Sequence, residues 1–152
     1  MLTSAGERII IRPRSDARAE ALAWLKTFEA ACRGRDFTAG RRLFAPDAVA
    51  FGTYANAVHG LDNIEREQWR QVWPRISDFR FGEGPTAAGA GDAAWIAATW
   101  SSGAVAPDGT PFTRHGRATF NLERRDGRWL AVHSHVSLLP SQSESAHGRP
   151  TG

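Results

Sequence analysis

The chain is poor in several residues that normally announce a function. It has one cysteine, Cys32, one tyrosine, Tyr54, one methionine and, among 19 basic residues, the single lysine Lys26. A lone cysteine excludes an internal disulfide and a thiolate zinc site, and Cys32 falls on the apolar stripe of the first predicted helix, where a free thiol packs as a small hydrophobe. No apolar run approaches the roughly 18 residues of a membrane span. The opening MLTSAGERIIIRPRS has only Ile9 to Ile11 where a signal peptide carries a longer apolar stretch. A cytoplasmic protein with no membrane partner is expected. The net charge of +3 and pI near 10.0 suggest nucleic acid. The arginines, however, are scattered and interleaved with acids, as in Glu65, Arg66, Glu67 and Arg70, so the dense patch that tracks phosphates is missing and no nucleic-acid partner is expected.

What is present reads as one domain of 152 residues, long enough to bury a core. Residues 1–14 form an arm, with the densest basic stretch between Arg8 and Arg18; residues 15–139 form the domain; residues 140–152 form a polar tail expected to be disordered. Ser15 or Asp16 caps a helix with Leu22, Leu25, Phe28 and Cys32 at three- and four-residue steps, ending at Gly34. Asp36 caps a shorter helix carrying Phe37, Leu43 and Phe44, which Pro46 stops. From Asp47 the period becomes two, through Val49 and Phe51, and residues 55–59 return as a short hairpin. A third helix starts at Leu61, where Asp62 and Glu65 resemble a capping pair, and Pro74 ends it. Four strand-like runs follow, 76–88, 93–105, 110–125 and 128–138, separated by Gly91-Asp92, Pro107-Asp108-Gly109 and Asp126-Gly127. The pattern predicts an α+β fold: a curved antiparallel sheet wrapped around three N-terminal helices, a cone whose open end is a pocket.

Three segments carry a family resemblance: RGRDFTAGRRLFAPDAVA from Arg33 to Ala50, HGLDNI from His59 to Ile64, and ERRDGRWLAVHSHVS from Glu123 to Ser137. Between about Asp16 and Leu139 the chain resembles the SnoaL-like branch of the nuclear transport factor 2 superfamily. Its last segment is most similar to the association (hub) domain of calcium/calmodulin-dependent protein kinase II. The resemblance implies a cone-shaped barrel, usually a homodimer packed through the outer face of the sheet. It implies no particular reaction, because fold and function are separable. Steroid isomerases of this fold use a tyrosine in the first helix and an aspartate base in the first hairpin; those positions are Phe28 and Gly52 here, which argues against that mechanism. Asp47 stands where the family keeps an acid for a turn. Two arginines of the kinase hub's carboxylate-binding pocket fall on Phe120 and Val136, so that anion site is not carried over and a more apolar pocket is implied.

Several residues remain as candidates for chemistry. His133 and His135 share a face of the last strand, but no third ligand stands at a convincing spacing, so neither a metal nor a cofactor is expected. Strict alternation points Leu130, Val132, Val136 and Leu138 inward and sets Trp129, His133 and His135 on the outer face, as a dimer interface. His59 and Tyr54 in the short hairpin, with Arg114, are the catalytic candidates. Their structural alternatives are a rim histidine bonded to backbone and a tyrosine capping the turn. Arg114 and His115 are adjacent on one strand, so one faces inward and one outward, and a bulge would decide which. Trp24, Phe28, Phe51, Trp69, Trp73, Trp100, Phe120 and Val136 are expected around the pocket, with Trp95 at its interior or rim; core filling is the competing use. The expected role is binding of a small hydrophobic or aromatic molecule. The alternatives are a cofactor-independent isomerase, cyclase or dehydratase on a small aromatic or polyketide-like substrate, and a non-catalytic dimeric adaptor.

Overall fold

The structure is a computed structural model that describes residues 16–140. The arm expected at residues 1–14 and the tail, apart from Pro140, lie outside the described residues. Helix α1 (Ala17–Arg33) starts at Asp16, whose carboxylate accepts the Arg18 N–H at 3.0 Å, and closes at Gly34. Ala21, Trp24, Leu25, Phe28, Ala31 and Cys32 form its buried stripe. Asp36 caps α2 (Phe37–Arg41) by accepting the Ala39 N–H at 3.0 Å. This helix stops short of the predicted Leu43 and Phe44. The Leu43 carbonyl is taken by the Ala131 N–H at 2.8 Å and the Trp24 indole N–H at 3.1 Å, which commits the chain to the sheet. Strand β1 (Phe44–Phe51) therefore begins before Pro46, and that proline lies at an irregularity of pairing rather than at a helix end.

Strand β2 (Ala57–His59) pairs antiparallel with β1. Helix α3 (residues 61–72) is an α turn, a π turn at Glu65–Trp69 and a further α turn, followed by a 3₁₀ turn around Pro74. Asp62 and Glu65 do not cap it. Arg41 draws both carboxylates away, at 2.6 and 3.3 Å. The remaining strands are β3 (Ile76–Phe81), β4 (Thr86–Ala90), β5 (Ala93–Val105), β6 (Pro111–Arg125) and β7 (Arg128–Leu138). The single run expected over 76–88 is thus two strands. Gly84, at φ 69, and Pro85 break it, so β3 pairs with residues 100–104 and β4 with residues 93–97 of β5.

The sheet runs β2-β1-β7-β6-β5-β3, with β4 beside β5. Only β1 and β7 run parallel, so the sheet is antiparallel-rich rather than wholly antiparallel. It curves around the helices in the predicted α+β arrangement: α1 packs across β3, β4, β5 and β7, and α3 against β1 and β2. Phe28 is the hub of the core, with the rings of Trp24, Phe44, Trp69, Trp73 and Phe120 centred 5.4–6.2 Å away.

Candidate functional site

One chamber opens inside this aromatic core, between α1, α3 and the concave face of the sheet. Its free volume is about 50 Å³, and of the residues expected around a pocket Phe28, Trp69, Trp73, Trp100, Phe120 and Val136 border it. Trp24 and Phe51 do not line it. Trp24 is consumed by core packing and by its bond to Leu43. Phe51 faces the other side of the sheet, because the inward positions of β1 are the buried Ala48 and Ala50. Trp95 is likewise on the outer face, 42% exposed, beside Asn121 and Val132.

The chamber has a polar end that the sequence reading did not assemble. Gly116, Ala118, Phe120 and Leu122 are buried along β6, so alternation makes Arg114 the next inward residue and leaves His115 exposed. Gly116 is required there. A Cβ at that position would stand 2.1 Å from the Ser137 carbonyl oxygen and 2.3 Å from the Trp100 ring, so glycine lets the indole lie against the strand. The Arg114 guanidinium sits 5.3 Å from the Trp100 ring centroid and donates to Thr53 Oγ1 at 2.9 Å. Burial holds its pKa below the ordinary arginine value, with a smaller opposing effect from Cys32. The guanidinium still stays charged at neutral pH.

Gln68 comes from the π turn of α3, which presents the consecutive residues Gln68 and Trp69 to the buried side. Its amide lies over Gly52, where a Cβ would meet Nε2 at 2.3 Å, and its Oε1 is buried without a hydrogen-bond partner. Gly52 is the position that the resemblance assigns to the isomerase base, and a neutral amide occupies the space in front of it. Cys32, Ser134 and the apolar Val72, Ile76 and Phe79 complete the lining. Burial pushes the Cys32 thiol up to about 12; the Arg114 charge opposes this and Glu29 adds to it. The chamber therefore holds a neutral thiol, an amide, hydroxyls and one cation. Gln68 was legible as the polar member of the Ile64, Gln68, Val72 series on α3, and Thr53 and Ser134 carried no such signal.

The other catalytic candidates do not converge on Arg114. His59 pairs with Val49, whose neighbours Ala48 and Ala50 face inward, so the exposed imidazole points outward; its backbone carbonyl accepts the Asn63 side-chain amide at 2.9 Å. Tyr54 is 62% exposed in the loop between β1 and β2. Asp47 is solvent-exposed and bonded to Arg125 at 2.7 Å, which holds its carboxyl below the usual range.

His133 and His135 lie on the outer face as expected, with Phe51 edge-on to both at 4.9 and 5.3 Å. The Val49 carbonyl lies 2.8 Å from His133 Nδ1, which therefore carries the proton. Trp129 does not share that face. Asn121 pairs with His133 and Leu122 with Ala131, so Val132 is an extra residue that shifts the alternation. Val132 moves outward, and Trp129 turns toward α1, donating its indole N–H to Glu20 under the Arg124 guanidinium. No group of three potential metal ligands occurs among the described residues. No helix among them is long and apolar enough to cross a membrane.

Known structures repeat this architecture. A Xanthomonas campestris protein, proposed to be a calcium/calmodulin-dependent protein kinase II association domain, is 25% identical and matches 85% of this chain and 93% of its own, with a TM-score of 0.69. A nuclear transport factor 2-like superfamily protein from Salmonella enterica is 20% identical over 80% of this chain and 89% of its own, with a TM-score of 0.70. A ketosteroid isomerase-like protein from Erwinia carotovora atroseptica is 16% identical over 82% of this chain and 98% of its own, with a TM-score of 0.72. No curated protein sequence matches the chain. The SnoaL-like domain model matches residues 22–141, which is most of the chain and contains every residue of the chamber, and the protein belongs to the SnoaL-like domain family.

Proposed function

We propose that the protein binds a small molecule whose apolar end lies in the chamber among Phe28, Trp69, Trp73 and Trp100. The observation that carries this reading is the pairing of an aromatic enclosure with a polar end: Arg114, Thr53, Gln68 and Ser134 border a space otherwise walled by rings. Binding sites combine apolar walls with a few placed polar groups in this way. At about 50 Å³ the chamber is small, and it suits a short aliphatic group. The enzymatic alternative has less support because His59 and Tyr54 stand outside the chamber, and among the described residues no histidine or carboxylate lines it beside Arg114.

Titration with toluene and with butyramide, followed by the indole N–H signals in nuclear magnetic resonance, tests this reading. Trp69, Trp73 and Trp100 are expected to shift with at least one probe while Trp95 stays still. Silence from all three, or movement of Trp95 alone, contradicts it.

A second reading concerns assembly: self-association as a homodimer through the outer sheet face. Phe51, at 39% exposure, and Trp95, at 42%, support it, because two large rings left to solvent on one face suit an interface core.

A further inference from the structure

The proposal of a ligand chamber leaves open what its charged end recognises. Arg114 has five N–H donors, and among the described residues it donates to a neutral hydroxyl, Thr53 Oγ1. Among the described residues no carboxylate pairs with it. Glu29, an acid that acts on Cys32, accepts the Phe81 N–H at 2.7 Å. A half-buried cation against an indole, with no counter-ion, is an unfavourable feature for a fold to keep unless something else neutralises it. Lining the same chamber, Gln68 holds a buried amide whose oxygen is unpartnered among the described residues; a side-chain amide can turn over to offer either its N–H₂ or its oxygen.

We propose that Arg114 receives the carboxylate of a small monocarboxylate, with Thr53 and Gln68 flanking the head group and the carbon chain lying against Trp69, Trp73 and Trp100. This rests on the chamber reading above. Three considerations select the class. The planar fork of a guanidinium matches a carboxylate in two parallel hydrogen bonds. One cation balances one negative charge, whereas a phosphate dianion would carry a second charge into a wall of rings. The space available, about 50 Å³, takes the head group and first carbons of a short chain and so limits the length of the acid. The cation reaches the chamber from β6 position 114, while Phe120 and Val136, which border the same space, are apolar. Charge has therefore entered from a different place in the strand than the resemblance suggested.

The test compares butyrate with its neutral isostere butyramide, with inorganic phosphate and toluene as further probes, on the wild-type chain and on Arg114→Met and Arg114→Lys. Wild type is expected to bind butyrate at least about tenfold tighter than butyramide, since a charge-assisted pair outweighs a neutral one. In Arg114→Met that ratio is expected to fall to about one. Arg114→Lys keeps the charge but lacks the fork, so an intermediate ratio is expected, and it gives a readout should the methionine variant fail to fold. A wild-type ratio near one, a ratio that survives in Arg114→Met, or phosphate binding more tightly than butyrate overturns the proposal. If toluene or butyramide shifts the chamber indoles while butyrate binds no better, the chamber stands and the carboxylate assignment falls. If no probe shifts them, both fall.

Discussion

Cys32 and Arg114 face the same chamber, and burial disfavours the charged form of each. For Cys32 the ordinary value of 9.0 rises to about 12. Between those values the unfolded chain has released the proton and the folded chain retains it, so the native state binds more protons and stability falls with rising pH. The contribution is complete below pH 9.0 and is lost as pH climbs toward about 12. A Cys32→Ala variant, measured by urea unfolding across that window, is expected to show a shallower decline than wild type; equal slopes would place the loss elsewhere. Arg114 carries the complementary expectation. Replacing it with methionine removes an uncompensated charge and keeps an unbranched stem, so the free protein should gain about 1 kcal/mol, or roughly 2–4 °C in Tm. A fall in Tm would make Arg114 a structural residue. At this scale the sequence named Arg114 but left its direction open, because one bulge reverses every residue beyond it. The buried alternation from Gly116 to Leu122 settles the direction, and it shows only once burial is known.

Local chemistry and pairing share the definition of the elements. Asp16 and Asp36 cap where sequence says they should, and Asp126-Gly127, at φ 50 and 74, makes the tight turn between β6 and β7. Those features depend on a few adjacent residues, which is why they were legible. The misread elements depend on distant partners. Leu43 is drawn into the sheet by Ala131 and Trp24, Arg41 captures the would-be capping acids, and the Val132 bulge appears only in the register with Asn121. Gly116 is the sharpest element-scale test. Gly116→Ala forces a methyl against the Ser137 carbonyl and the Trp100 ring, both held by the sheet, so a loss of about 2–3 kcal/mol is expected in chemical denaturation. A loss below about 0.5 kcal/mol would mean that β6 and β7 separate more easily than their register suggests. Because Trp100 also supports Arg114, the same variant should weaken butyrate binding.

For the whole molecule, family and fold were legible because the order of helices, hairpin, helix and strands survives errors of a few residues at each boundary. The chamber was half legible: its rings follow helix and strand periodicity, whereas its polar end draws Thr53 from a loop, Gln68 from a π turn and Arg114 from β6. No sequence spacing joins those three. The outer face supplies a prediction about assembly. Light scattering at micromolar concentration is expected to give twice the chain mass, and Phe51→Glu to return the chain to a monomer, since it replaces the exposed ring beside His133 and His135 with a charge that the seam would have to desolvate. A wild-type monomer would remove the interface reading and leave the chamber untouched. The chamber itself is tested most directly by a crystal structure of the protein grown with butyrate. The expected result is a carboxylate about 3 Å from the Arg114 guanidinium nitrogens, with its chain against Trp69 and Trp100. A chamber closed over its own side chains, with butyrate absent or bound only among surface arginines, would contradict it.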